Sequence, residues 1–253
     1  MIILLSPSEK KELTHKNEIP HIDGFYKEFL TKDIARIVEN YIKCLRENSE
    51  GEISKMLGVK HIVLDELVLL QNINNTPLLQ AIERYSGVAF KALGYESLNK
   101  KEKEYINGRV FIFSNLFGIL RACDLIPYYD LKQGEGFACG EYTFKTKDIY
   151  ANNAKNYIEE LKTQSNFVLD LRAGFYQKCL KLPQDFKICE LNFIKNGKSV
   201  SHYAKHYRGL LLRECARNNI QTFDSIKYLK LEGLEIINIE ESGQKLSITY
   251  NLV

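Results

Sequence analysis

The chain has 253 residues, 35 Lys+Arg against 32 Asp+Glu for a formal net charge of +3, and 45% hydrophobic residues. That apolar content excludes a disordered chain, 15 Gly and 5 Pro exclude collagen-like sequence, and no run reaches the roughly 18 apolar residues of a bilayer span. Ile2–Leu5 is too short for the apolar core of a signal peptide. The expectation is one cytoplasmic domain over residues 1–253 with no membrane partner. An excess of three positive charges does not mark a nucleic-acid binder unless the charge is clustered.

In chain order, Ile2–Leu5 reads as a buried strand stopped by Ser6-Pro7. Asp33–Glu47 reads as a helix, because Ile34, Ile37, Val38, Tyr41, Ile42 and Leu45 recur at three- and four-residue steps, with Thr31 or Asp33 as cap. Leu64–Asn72 and Leu78–Tyr85 read as helices separated by Asn74-Asn75-Thr76-Pro77, with Thr76 as cap and Pro77 in first helical position. A short charged helix is expected over Leu98–Tyr105. Arg109–Ser114 and Asn166–Leu171 are β-branched and apolar enough for buried strands, with a helix over Ile149–Leu161 between them. The aromatic, glycine-bearing stretch Pro127–Tyr150 reads as a long functional loop. Lys187–Phe193 and Lys198–Tyr203 flank Asn196-Gly197, a hairpin signal. Tyr203–Asn218 reads as a helix, and Leu234–Glu240 with Lys245–Asn251 as a terminal hairpin. The fold class is therefore mixed α/β (α+β), with a central sheet, helices around it and a C-terminal hairpin.

Six cysteines form no C-x-x-C and no zinc-finger spacing with histidine, so they read mostly as small buried hydrophobes. His202 and His206 stand four apart, but no Glu follows His202 and the hairpin interrupts the helix, so no metal site is expected. No cofactor fingerprint is present either.

Four segments carry polar groups at element ends. Ser6, Lys10 and Lys11 follow the first strand, where hydroxyls and ammonium groups can hold an anion. Arg121 and Asp124 follow the Arg109–Ser114 strand, and either pair with each other or present a guanidinium fork to phosphate or carboxylate. Asp170 and Arg172 end another strand, as a structural ion pair or as a base beside an anion-binding arginine. The fourth segment is Ser201-His202-Tyr203-Ala204-Lys205-His206-Tyr207-Arg208-Gly209, followed by Arg213. At 100° per residue, Ala204, Leu211 and Cys215 form an apolar stripe, and Arg208 borders it with Lys205 one turn earlier. Cations there are costly unless an anion meets them or their heads reach water.

Taken in order, Leu4–Lys11, Phe113–Tyr128, Val168–Tyr176 and Val200–Arg213 resemble the blocks of the YaaA family of peroxide stress proteins. The resemblance implies a single mixed α/β domain with a positive cleft. It also implies a role in surviving hydrogen peroxide, limitation of free iron, and binding of duplex or distorted DNA. Carried onto this chain, the family's polar positions are Ser6, Lys11, Ser114, Arg121, Asp124, Asp170, Arg172, Ser201, Lys205, Arg208, Gly209 and Arg213. The chain departs from the family pattern at Tyr129-Asp130-Leu131-Lys132 and at Ala122-Cys123. The expected reading is DNA bound by Ser6, Lys10, Lys11, Arg121, Arg172, Ser201, Lys205, Arg208 and Arg213. The alternative is an enzyme acting on a nucleotide, nucleobase or other phosphorylated small molecule in the same pocket, with Asp124 or Asp170 as the acid–base group.

Overall fold

A computed structural model describes residues 1–22 and 32–253, with the side chains of Lys32, Ser199, Ser201 and His202 left aside. The elements run β1 (Ile2–Leu5), α1 (Lys32–Glu47), α2 (Glu50–Leu57), α3 (Leu64–Gln71), β2 (Leu78–Gln80), α4 (Ala81–Arg84), α5 (Val88–Leu93), α6 (Lys100–Arg109), β3 (Val110–Ser114), β4 (Gly118–Arg121), β5 (Leu125–Pro127), β6 (Phe137–Cys139) and β7 (Tyr142–Phe144). They continue with α7 (Thr146–Asn152), α8 (Ala154–Gln164), β8 (Phe167–Leu171), α9 (Gly174–Cys179), β9 (Lys187–Lys195), β10 (Lys198–Ser199), α10 (Ser201–Arg217), α11 (Phe223–Lys227), β11 (Leu234–Ser242) and β12 (Lys245–Leu252).

The fold is mixed α/β, built on one central sheet ordered β11-β12-β9-β8-β1-β3-β4, with β10 hydrogen-bonded to β9 beyond the end of β8. From β12 through β9, β8 and β1 to β3 every pairing is parallel; β4 and β11 close the two edges antiparallel. All four residues of β1 are buried, so both faces of the sheet are covered at its centre, as parallel strands require. Each Ile or Leu so buried stabilises by about 1.5–3 kcal/mol. Tyr41, Tyr85, Tyr129, Tyr150, Tyr157 and Tyr176 are also fully buried, so their hydroxyls need partners inside. Among the described residues no helix is long and apolar enough to cross a membrane.

Where periodicity or turn chemistry is strong, expectation and structure agree. The apolar stripe of α1 is buried from Ile34 to Leu45. Asp33 lies in its first turn, whereas Thr31 lies outside the described residues. Asn196 and Gly197 take positive φ and turn β9 into β10.

Four expectations are corrected. Leu78–Tyr85 is not one helix: Leu78–Gln80 pairs with Leu125–Pro127, and only Ala81–Arg84 is helical. Long-range pairing there overrides local helix preference. The helix expected over Ile149–Leu161 is two, divided at Asn153, whose amide bonds back to the carbonyl of Ile149 at 2.9 Å. The second strand of the Asn-Gly hairpin ends at Ser199, since α10 begins at Ser201. The stretch Pro127–Tyr150 is no open loop: it folds into the β6–β7 hairpin and the start of α7, with Phe137 and Phe144 buried.

Candidate anion-binding site

β1 leads to β3 on one side, while β8 joins it on the other. The crevice beyond the carboxyl ends of β1 and β8 is therefore a topological switch point, where open sheets of this kind place ligands. Ser6, just past β1, accepts the Ala173 N–H at 2.7 Å and ties the two strand ends together. The chain then runs beside residues 84–86: Lys11 is bridged to Tyr85, and the Lys10 carbonyl accepts from Ser86 N at 3.0 Å and from Ser8 Oγ at 2.8 Å.

Two glycines set how close the walls come. A Cβ at Gly87 would stand 2.2 Å from Ser8 Oγ, and one at Gly209 would stand 2.0 Å from the Ala89 carbonyl oxygen. With no side chain at 209, α10 crosses directly over α5. The result is a cavity of about 270 Å³, bounded by Ser6–Lys10, Ser86–Lys91, Gln133, Tyr176, Lys205 and Arg208. Its wall is partly apolar, through Leu5, Pro7, Val88 and Phe90.

Four cations face this space (Lys10, Lys91, Lys205 and Arg208) against one carboxylate among the described lining residues, Glu9. Lys10, Lys91 and Lys205 are exposed at the rim. Arg208 is half-buried, and among the described residues no hydrogen bond or ion pair reaches its guanidinium. Burial lowers its pKa from the ordinary arginine value, and the charge of Asp170 acts in the opposite direction. A desolvated, unpaired cation is destabilising, and an anion in the cavity offsets that cost. Glu9, whose carboxylate accepts from the Gln133 N–H at 3.3 Å, is the carboxylate in that described lining.

The other expected residues lie elsewhere. Asp170 and Arg172 form a buried fork, Nε–Oδ1 2.9 Å and Nη2–Oδ2 2.8 Å, and Arg172 Nη1 donates to the Leu180 carbonyl at 2.9 Å. The guanidinium lies 4.6 Å from the Phe113 ring centre. Arg172 is therefore used within the protein, the ion-pair alternative, beneath the cavity rather than in its lining. Lys11 is buried behind the cavity, 3.3 Å from Asp130 and 4.4 Å above the Tyr129 ring. Desolvation lowers its pKa and raises that of Asp130, each opposed by the partner's charge.

Below it, the Tyr85 and Tyr129 hydroxyls meet at 2.7 Å, and Tyr129 meets Ser114 Oγ at 2.9 Å. Arg213 donates to the Leu93 and Gly94 carbonyls at 2.6 and 3.1 Å, closing the C-terminus of α5. Arg121 stands at the opposite end of the sheet, where its backbone N–H meets Asp124 at 2.7 Å and its guanidinium lies 3.7 Å from Glu160. The Ser201 side chain lies outside the described residues, as does that of His202, so the His202/His206 pair has no described geometry. Ser6, Lys10, Lys205 and Arg208 are thus brought together, and Arg121, Asp124 and Arg213 are not.

Sequence reasoning missed Ser86-Gly87 and Lys91; the Ser-Gly turn signal ahead of an apolar helix start was the available clue. Among the described residues, no group of three or more His, Cys, Asp or Glu is placed to hold a metal ion.

Sheet order and cavity together define a mixed α/β protein with a cation-lined cavity at its topological switch point. The family model for the peroxide stress protein YaaA matches residues 1–239, and the chain belongs to that family. An uncharacterized protein of Campylobacter jejuni is 33% identical over 100% of both chains. A UPF0246 protein of Corynebacterium glutamicum is 29% identical over 96% of each chain, and one of Fusobacterium nucleatum is 28% identical over 97% of this chain and 96% of its own.

Proposed function

We propose that, in the peroxide stress response of its family, this chain works by capturing a small anionic molecule in the β1/β8 cavity. The ligand carries a phosphate or carboxylate on a partly apolar body. The observation that carries this reading is Arg208: a half-buried guanidinium with no protein partner among the described residues, facing the cavity. Lys10, Lys91 and Lys205 supply further positive charge, and Leu5, Pro7, Val88 and Phe90 supply apolar contact. If the molecule is also transformed, Glu9 is the carboxylate within reach, in place of Asp124 or Asp170.

DNA binding is the second reading, and its support lies at the rim. Lys195 stands 5.5 Å over the Tyr203 ring, and Tyr203 is 48% exposed, close in sequence to Lys205. Such a lysine–aromatic surface suits unpaired bases and their phosphates. Against a long basic trough stand Arg172 and Arg213, bonded to protein groups, and Arg121, at the other end of the sheet. Limitation of iron damage would then be an indirect effect in the cytoplasm.

Calorimetric titration with inorganic phosphate, nucleoside monophosphates, and single-stranded or bubble-containing DNA, each at two salt concentrations, tests both. Saturable binding of a small anion with a shallow salt response supports the first reading. Tight DNA binding whose log K falls by roughly 0.9 per neutralised duplex phosphate supports the second. No saturable response to any small anion overturns the first.

A further inference from the structure

Cys44 on α1 and Cys139 at the end of β6 come from distant parts of the chain and meet where α1 packs on the β6–β7 hairpin. Tyr41 meets the Phe137 ring edge-on at 5.8 Å, and Asn48 Nδ2 donates to the Ala138 carbonyl at 2.8 Å, so the two elements are held in register around the thiols. Cys44 lies one turn before Glu47 and Asn48 on α1, which places it beside Cys139. The Cys139 thiol in turn donates to Glu47 Oε2 at 3.5 Å. Glu47 is exposed and lies 3.8 Å from Lys43. Both cysteines are free thiols; Cys44 is fully buried, while Cys139 keeps 7% of its surface open.

We propose that Cys139 and Cys44 are a dithiol that hydrogen peroxide oxidises to a disulfide, with Cys139 attacking first and Cys44 resolving. The Cys139–Glu47 contact, with Cys44 one turn earlier on α1, supplies each role. Glu47 takes the proton of the Cys139 thiol and exposes a thiolate, the reactive form. The thiolate attacks one peroxide oxygen, the O–O bond breaks, and the departing hydroxide leaves as water with the proton from Glu47. Cys139 becomes a sulfenic acid, oxidised by two electrons as the peroxide is reduced by two. Cys44 then attacks the Cys139 sulfur, the S–O bond breaks, and the released hydroxide takes the Cys44 proton to form a second water. Two thiols and one peroxide thus give one disulfide and two waters.

The order follows from access: Cys139 keeps 7% of its surface open, while Cys44 is fully buried. Burial, reinforced by the neighbouring Cys139, raises the pKa of the Cys44 thiol above the ordinary cysteine value. Neither cysteine lines the anion cavity, so this chemistry does not depend on what that cavity binds.

The test is peptide mapping of the full chain after brief exposure to hydrogen peroxide and alkylation of remaining thiols under denaturing conditions. The expected product has lost two hydrogen atoms and carries one Cys44–Cys139 cross-link. C44S is expected to trap a dimedone-reactive sulfenic acid on Cys139, and C139S to form no cross-link to Cys44. Glu47→Gln is expected to slow oxidation roughly tenfold or more at fixed pH. The wild-type map decides even if a cysteine variant fails to fold. A cross-link confined to Cys123 or Cys179, or full alkylation of Cys44 after peroxide exposure, overturns the proposal.

Discussion

Replacing Arg208 by methionine separates an anion anchor from a structural arginine. Methionine keeps much of the aliphatic stem, and so the packing beside Ala204 and Leu211, but removes the charge. Because no protein group is bonded to the guanidinium among the described residues, no partner is orphaned by its loss. Stability without ligand is therefore expected to hold or rise, by up to ~1 kcal/mol, as an uncompensated desolvation cost disappears. Ligand binding moves the other way. A hydrogen bond from a charged donor to an anion contributes about 1.5–3 kcal/mol, so small-anion affinity is expected to fall by roughly 10- to 150-fold. Urea denaturation of the ligand-free protein and calorimetric titration with phosphate and nucleoside monophosphates read the two effects separately. A variant destabilised by several kcal/mol with unchanged anion affinity would refute the reasoning and mark Arg208 as a packing residue.

Two further outcomes follow from groups around the cavity. Arg172→Met leaves the Asp170 carboxylate buried without its fork and is expected to cost about 3–5 kcal/mol in urea denaturation; a loss below ~1 kcal/mol would contradict the structural role of the pair. For Lys11 and Asp130 the expectation concerns pH. Folded Lys11 holds its proton less tightly than an ordinary lysine, near 10.5, so the unfolded chain binds more protons just below that pH and the lysine's contribution to stability rises as pH increases through the window. Folded Asp130 titrates above an ordinary aspartate, near 3.8, so its contribution falls as pH rises through the acid window. The double variant K11M/D130N is expected to lose both slopes, measured as unfolding free energy against pH relative to wild type; identical slopes would exclude a desolvated pair.

The parts of this molecule that local pattern controls were legible. Ile2–Leu5 is an apolar run with no polar face, and Val168–Leu171 is apolar but for Asp170, as buried parallel strands require. Asn196-Gly197 specifies its turn, and the periodicity around Arg208 places that residue at the border of an apolar stripe. Asn99 and Glu102 form a reciprocal cap that starts α6 at Lys100, two residues after the expected start. What stayed hidden depends on partners far along the chain. Nothing near Arg213 announces that its guanidinium will close α5 through Leu93, and nothing near Leu78 announces pairing with Pro127. Of the seven cations expected to converge, Arg121 is carried away by the antiparallel turn of β4, a topology that sequence spacing does not encode.

The crossing at Gly209 has a consequence for selectivity. Helix backbone rests against helix backbone there, and Arg213 clamps the far end of α5, so the gap between Arg208 and the Ser6–Lys10 turn acts as a fixed gauge. A guest of the right length finds its seat already assembled and gives up little binding energy to reshape it. A longer one meets rigid walls and is turned away by size before charge can favour it.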